Sequence, residues 1–235
     1  MQPDGAGTVA DATWVWQSRI GLVEEVARVL RQRIYSGAYP PGELLRQVQL
    51  SQELNVSRTP LREALRMLQS EGLVKAEGAR GVSVSGADES RLLNAYAMRE
   101  ILDGLAARQA AERAAGRADS VLAPLLAAQM QALDPWSAGD YMRLNVEFHA
   151  AIIELADNEF LSAQLAIVRM TTTMFAPATL ICAERARPSI EGHRRIAFAI
   201  AEGAADAAES EARQHIRQTL RSVLAGATSL AARAP

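Results

Sequence analysis

The 235-residue sequence predicts a mainly α-helical protein in two parts, a small head with a little β-structure and a larger all-α bundle of about six helices. Three observations lead there. Apolar residues recur at three-and-four spacing from Ser18 onward, the pattern of helices that bury one face. Strand-like alternation occurs only between Leu73 and Ser85. Beyond Val84 the chain is rich in alanine, poor in aromatics and interrupted only by short breakers.

Residues 1–17, rich in Gly, Ala, Asp and Thr without a period, read as a disordered tail. From Ser18 the stripe Ile20, Val23, Val26, Ala27, Leu30, Ile34 forms a helix, which Ser36-Gly37 and Pro40-Pro41-Gly42 stop. Leu50 and Leu54 make the inner face of a short helix, Asn55 breaks it, and Val56 plugs the turn. Ser57 or Thr59 caps the next helix, where Pro60 is tolerated because first-turn N–H groups have no intrahelical partner. Leu61, Ala64, Leu65 and Leu68 give that helix its buried face, and Gly72 ends it. Leu73 to Ala76 and Gly81 to Ser85 then read as two short strands around a turn over residues 77–80. Helix, helix-turn-helix and hairpin make a winged helix-turn-helix over residues 18–85. Gly86-Ala87-Asp88 joins it to the bundle, residues 88–228, with Asp88 as the first helix cap. Breakers at Gly116, Asp134-Pro135, Asp157-Asn158, Pro177, Pro188 and Gly203 divide the bundle into about six helices.

Composition narrows the function. At 49% apolar residues the chain can bury a core. No window approaches the ~18 uninterrupted apolar residues of a membrane span, and the N-terminus lacks a signal-peptide pattern, so a cytoplasmic protein with no membrane partner is expected. Cys182 is the single cysteine, which excludes an intrachain disulfide. Charge is unevenly spread. Residues 18–85 hold ten basic against seven acidic residues, and residues 86–235 hold fifteen against eighteen, so the head is the basic end.

The second helix of the helix-turn-helix carries Arg58, Arg62 and Arg66 opposite its apolar stripe. In this fold that helix enters the major groove, where a guanidinium forks onto guanine or clamps a phosphate. Arg58 and Arg62 are therefore expected to touch DNA, with Arg66 on phosphate or solvent. Ser57 and Thr59, with the free N–H groups of the helix start, suit phosphate oxygens. Arg80 and Gly81 at the hairpin tip complete the expected DNA contacts. The run PPGELL, LSQELNVSRTPLREALRMLQSEGLV and RGVSVS resembles the winged-helix domain of the GntR superfamily of bacterial transcription regulators over most of residues 20–85. It departs from the family at Arg46-Gln47-Val48-Gln49-Leu50, where relatives usually show Ser-Glu-Arg-Glu-Leu. Val48 falls where relatives place a DNA-contacting arginine; Arg46 is the candidate substitute, and without that substitution the operator is expected to differ from that of relatives or to bind more weakly.

All three histidines lie in the bundle, on the apolar faces of separate helices. His149 shares a face with Ile152 and Ile153, His193 with Ile190 and Ala197, and His215 neighbours the stripe Ile216, Leu220, Val223. A buried imidazole needs a polar partner, and one metal ion satisfies three together. AYAMREILDGLAARQAAERA, LNVEFHAAIIELADNEFL and EGHRRIAFAIAEGAADAAESEARQHI resemble the FCD effector-binding domain of the FadR-like branch. That resemblance implies Asn145, His149, His193 and His215 as ligands of a divalent metal, and Arg99 as a residue facing the effector cavity. Asparagine where relatives commonly hold aspartate removes one negative charge, which favours Zn²⁺ or Ni²⁺ over harder ions.

The expected function is a ligand-responsive DNA-binding transcriptional regulator, a repressor, whose helical domain binds a divalent metal and a small carboxylate effector. As a homodimer it would read a palindromic operator. One alternative is a DNA-binding dimer whose helical domain has lost metal and effector and only dimerises. A metalloenzyme with Glu147 or Glu154 as base is the remote alternative, so no enzyme activity is expected.

Overall fold

In the computed structural model, which describes residues 10–78, 81–86, 89–173 and 182–231, the first helix α1 spans Ala10–Tyr35. It starts eight residues ahead of Ser18, taking in residues 10–17 of the expected tail; no Gly or Pro between Asp11 and Ile20 interrupts it. Val26, Ala27, Leu30 and Ile34 are buried, and α1 packs against α3 (Arg58–Ser70). Between them lie β1 (Leu44–Leu45) and α2 (Gln47–Glu53). The turn into α3 contains Asn55 at φ 51°, a left-handed conformation that asparagine tolerates. α3 buries Leu61, Ala64, Leu65 and Leu68, the predicted stripe.

The wing follows as β2 (Val74–Ala76) and β3 (Val82–Val84). β3 lies between β1 and β2, antiparallel to both, with Leu44 opposite Ser83 and Val74 opposite Val84. The sequence reading included only the hairpin strands; two-residue β1 is too short to show alternation, and its pairing to β3 is a tertiary event. Arg80 and Asp88 lie outside the described residues, as does Pro177.

The chain divides into two compact units, residues 1–86 and 87–235. The second is wholly α-helical apart from a single bridge pairing Leu133 with Trp136, among the described residues. α4 (Glu89–Gln131) packs against α5 (Ala138–Leu155), α8 (Ala183–Ala201) and α9 (Ala205–Ala231), with the short α6 (Glu159–Ser162) and α7 (Leu165–Thr173) beside them. Buried alanines 106, 107, 110, 111, 114 and 118 line α4, so neighbouring helices approach closely around Phe148, Ile152, Ile153, Ile196 and Ile200. α4 leaves helical geometry at Ala114 (φ −135°, ψ 15°), two residues ahead of the break expected at Gly116, and then resumes.

Three other expected breaks fall as drawn, the first being Asp134-Pro135 between α4 and α5. Asn158 caps α6 through its side-chain oxygen, and Gly203 (φ 68°) turns the chain from α8 into α9. Pro188 corrects the prediction, for it sits inside α8. It lies near the helix start, and the buried stripe Ala186, Ile190, His193, Ile196 and Ile200 on either side holds the helix together. No helix among the described residues is long and apolar enough to cross a membrane.

Candidate metal centre and nucleic-acid interface

On the head, Ser57, Arg58, Thr59, Arg62 and Arg66 are all exposed along the first two-thirds of α3. Ser57 occupies the N-cap position yet makes no side-chain cap bond, so its hydroxyl and the first N–H groups of α3 are open to an anion. Arg58 and Arg62 have no carboxylate partner among the described residues, whereas Arg66 bonds Glu63 at 2.9 Å. Arg46, at the N-cap of α2, and Val48, on its first turn, are exposed as well. Gly81 takes φ 110°, a left-handed value that favours glycine, and its carbonyl accepts from the Glu77 N–H at 2.8 Å to close the wing. The arginines are kept apart from the core because the stripe at 61, 64, 65 and 68 leaves 58, 62 and 66 on the opposite side.

In the bundle the three histidines converge. His149 from α5, His193 from α8 and His215 from α9 are each at most 3% exposed, and a ring nitrogen from each lies within 4.8 Å of the others. Ring centroids of His193 and His215 are 4.5 Å apart, and Phe148 stacks on His193 at 4.3 Å. α8 presents glycine beside His193 for a reason: a Cβ at Gly192 would stand 2.7 Å from Nδ1 of His215. Burial, together with the Arg99 charge, holds all three imidazoles below their usual pKa, His215 down to about 3. Neutral imidazoles are the form that ligates metal. The Nε2 atoms of His149 and His193 are buried without a hydrogen-bond partner. Two orphaned ring nitrogens in a cluster of three fit a bound cation, since no other group among the described residues satisfies them.

Beside the triad runs a buried polar line. Arg99 is 1% exposed, the bulkiest fully buried side chain among the described residues. Its Nε donates to Asp103 at 2.9 Å and its Nη1 to the Thr171 hydroxyl at 3.0 Å, while Nη2 has no partner. Asp103 also stands 3.6 Å from Nδ1 of His149. Gln129, on α4, meets Nδ1 of His193 at 2.7 Å. Asn145 lines one small pocket with Tyr96, Arg99, His149, Thr172 and His215, and its amide lies 3.5 Å from the Thr172 hydroxyl. Glu147 is exposed and bonded to Arg143, and Glu154 is exposed, so neither faces the triad.

Sequence reading therefore reached the histidines, Asn145 and Arg99 but missed Asp103, Gln129 and Gly192. Asp103 left a faint signal, four residues after Arg99 on one helix. Gln129 and Gly192 left none, since their partners are remote in sequence.

A winged-helix head whose second motif helix presents Arg58 and Arg62 without carboxylate partners among the described residues, joined to an all-α domain with a buried histidine cluster, defines the class: a DNA-binding transcriptional regulator. The particular family follows from comparison. The chain belongs to the GntR family of bacterial regulatory proteins, whose pattern matches residues 22–84, and its residues 94–218 match the FCD domain. It is 32% identical over 186 residues to the Nta operon transcriptional regulator of Aminobacter aminovorans, covering 79% of this chain and 87% of that one. It is 28% identical to the probable D-xylose utilization operon transcriptional repressor of Paenarthrobacter nicotinovorans, covering 88% and 90%. The fold matches that of Escherichia coli McbR/YncC with a TM-score of 0.74, at 22% identity over 86% of this chain and 97% of that one. The named relatives are operon transcriptional regulators, and this chain is a transcriptional regulator of the same family rather than an enzyme.

Proposed function

We propose that this protein is a ligand-responsive repressor, a cytoplasmic homodimer that reads a palindromic operator and releases it when a small carboxylate binds the helical domain. On the DNA side, Arg58 and Arg62 reach base edges, Ser57 and Thr59 hold phosphates, Arg46 and Arg66 steady the backbone, and Arg80 and Gly81 add flanking contacts. Exposed Met98, Ile101 and Leu105, on one side of α4, support pairing with a second copy through the helical domain. Two-fold pairing would place two recognition helices on successive half-sites.

His149, His193, His215 and the carbonyl of Asn145 would hold a divalent ion. The neutral, nitrogen-rich donor set suits Zn²⁺ or Ni²⁺. Bound there, the ion supplies a Lewis-acidic point for a carboxylate oxygen. Arg99 anchors the other end of the effector through its free Nη2, and Tyr96 and Thr172 shape the pocket around it. One observation carries this reading: partnerless Nε2 atoms on His149 and His193 stand beside a buried arginine with an unused donor. A domain that only dimerised would have no reason to keep three unmet polar atoms in its core. Regulation then requires the effector to favour one of two head arrangements, since only differential affinity shifts an equilibrium.

The test is metal analysis of protein purified without chelator, followed by operator binding with a panel of small carboxylates. About one Zn²⁺ or Ni²⁺ per chain, lost in His193→Ala, with at least one acid weakening operator binding, is the expected result. Protein that stays metal-free under added Zn²⁺ would sink the metal reading.

A further inference from the structure

Gln129 and Asp103 belong neither to the ligand set nor to the effector anchor above. Gln129 is fully buried on α4, and its Nε2 donates to the Leu144 carbonyl at 3.1 Å. Turning that amide over would set its oxygen against the Leu144 oxygen, so the acceptor Oε1 must face His193 Nδ1, 2.7 Å away. A ring nitrogen that close to an acceptor holds the proton. A second proton, on Nε2, would be a buried charge with no acceptor, because His193 Nε2 has no partner.

Across the cluster the pull is electrostatic, at a separation just beyond hydrogen-bond reach. Asp103 Oδ2, already bonded to Arg99 Nε, stands 3.6 Å from His149 Nδ1, and His149 Nε2 is again buried and unpartnered. An oxygen that only accepts draws the ring proton to the facing nitrogen.

We propose that Gln129 and Asp103 are positioning residues, Gln129 locking His193 and Asp103 biasing His149 towards the Nδ1–H tautomer, so that each ring offers a bare Nε2 lone pair to a cation. The consequence for the metal rests on the reading above; the tautomers do not.

The test begins with the full-length, chelator-treated protein labelled with ¹⁵N in its imidazoles. Three histidines give three ring systems, assigned by single His→Gln variants. Nδ1–H with an unprotonated Nε2 on both His149 and His193 is expected, and an Nε2–H on either ring overturns its assignment. Zn²⁺ affinity is then read by chelator competition. Gln129→Met, which removes the acceptor, should scramble the His193 tautomer and weaken Zn²⁺ about 10- to 100-fold, while Gln129→Glu, which keeps an acceptor, should hold at least wild-type affinity. A folded Gln129→Met protein that binds Zn²⁺ like the wild type overturns the positioning role. Should Gln129→Met fail to fold, the wild-type spectrum and Gln129→Glu decide the matter. Wild-type protein with the expected tautomers and no Zn²⁺ binding upholds the assignment and sinks only the metal reading.

Discussion

The head and the helical domain place their polar chemistry on opposite sides of their cores. In the head, Arg46, Arg58, Arg62 and Arg66 lie in solvent around a core whose buried side chains, among the described residues, are apolar but for Ser83 and Ser85. In the helical domain, Arg99, Asp103, Gln129, His149, His193 and His215 are themselves buried. The difference separates two ways of supporting function. A surface site can be altered with little cost to the fold, whereas a core site is built from groups whose desolvation the fold must offset. Binding and stability should therefore come apart in the head and move together in the helical domain.

Acidification tests this most strongly. The three histidines are held below their usual pKa when folded, so below about pH 6.5 the unfolded chain binds more protons and stability falls with pH, by at most about 1.4 kcal/mol per pH unit for each histidine. The loss begins near the ordinary histidine pKa and continues until the folded rings titrate, for His215 near 3. Asp103, whose carboxyl burial pushes up, works in the opposite direction as one group against three. Denaturant unfolding of metal-free protein at pH 7.5 and 5 should show the helical domain weakening markedly; equal stability at both would remove the contrast.

Next in size is Asp103→Ala, which leaves Arg99 buried without its partner and should cost about 3–5 kcal/mol in denaturant unfolding. Arg58→Ala or Arg62→Ala should each cost about 1–3 kcal/mol in operator binding, read by fluorescence anisotropy at fixed salt, with Tm unchanged. A Tm drop in either would break the separation drawn here. Gly192→Ala forces a methyl against His215 and should cost about 1–3 kcal/mol of stability together with metal affinity. Arg66→Ala should be the mildest, under about 1 kcal/mol in stability, since its pair with Glu63 is exposed.

How much of this was legible in the sequence follows the same division. The helix-turn-helix is local: the stripe from Leu61 to Leu68, the turn at Asn55 and the arginines opposite all sit within one short run, so spacing alone places them. Their exposure follows from helical geometry. In the bundle, spacing put each histidine on an apolar face, and the family resemblance put them together with Asn145.

What spacing could not reach were contacts between residues far apart in sequence. β1 exists because β3 pairs with it, and α8 runs through Pro188 because its buried face outweighs one missing hydrogen bond. The closeness of Asp103 to His149, of Gln129 to His193 and of Gly192 to His215 depends on how α4, α5, α8 and α9 pack. By itself, then, the sequence determined the helices, their buried faces and the basic edge of the head, since these follow from periods of a few residues. Only the tertiary structure decided which buried polar atoms meet and which stay unmet, because helix packing, not helix formation, sets those distances.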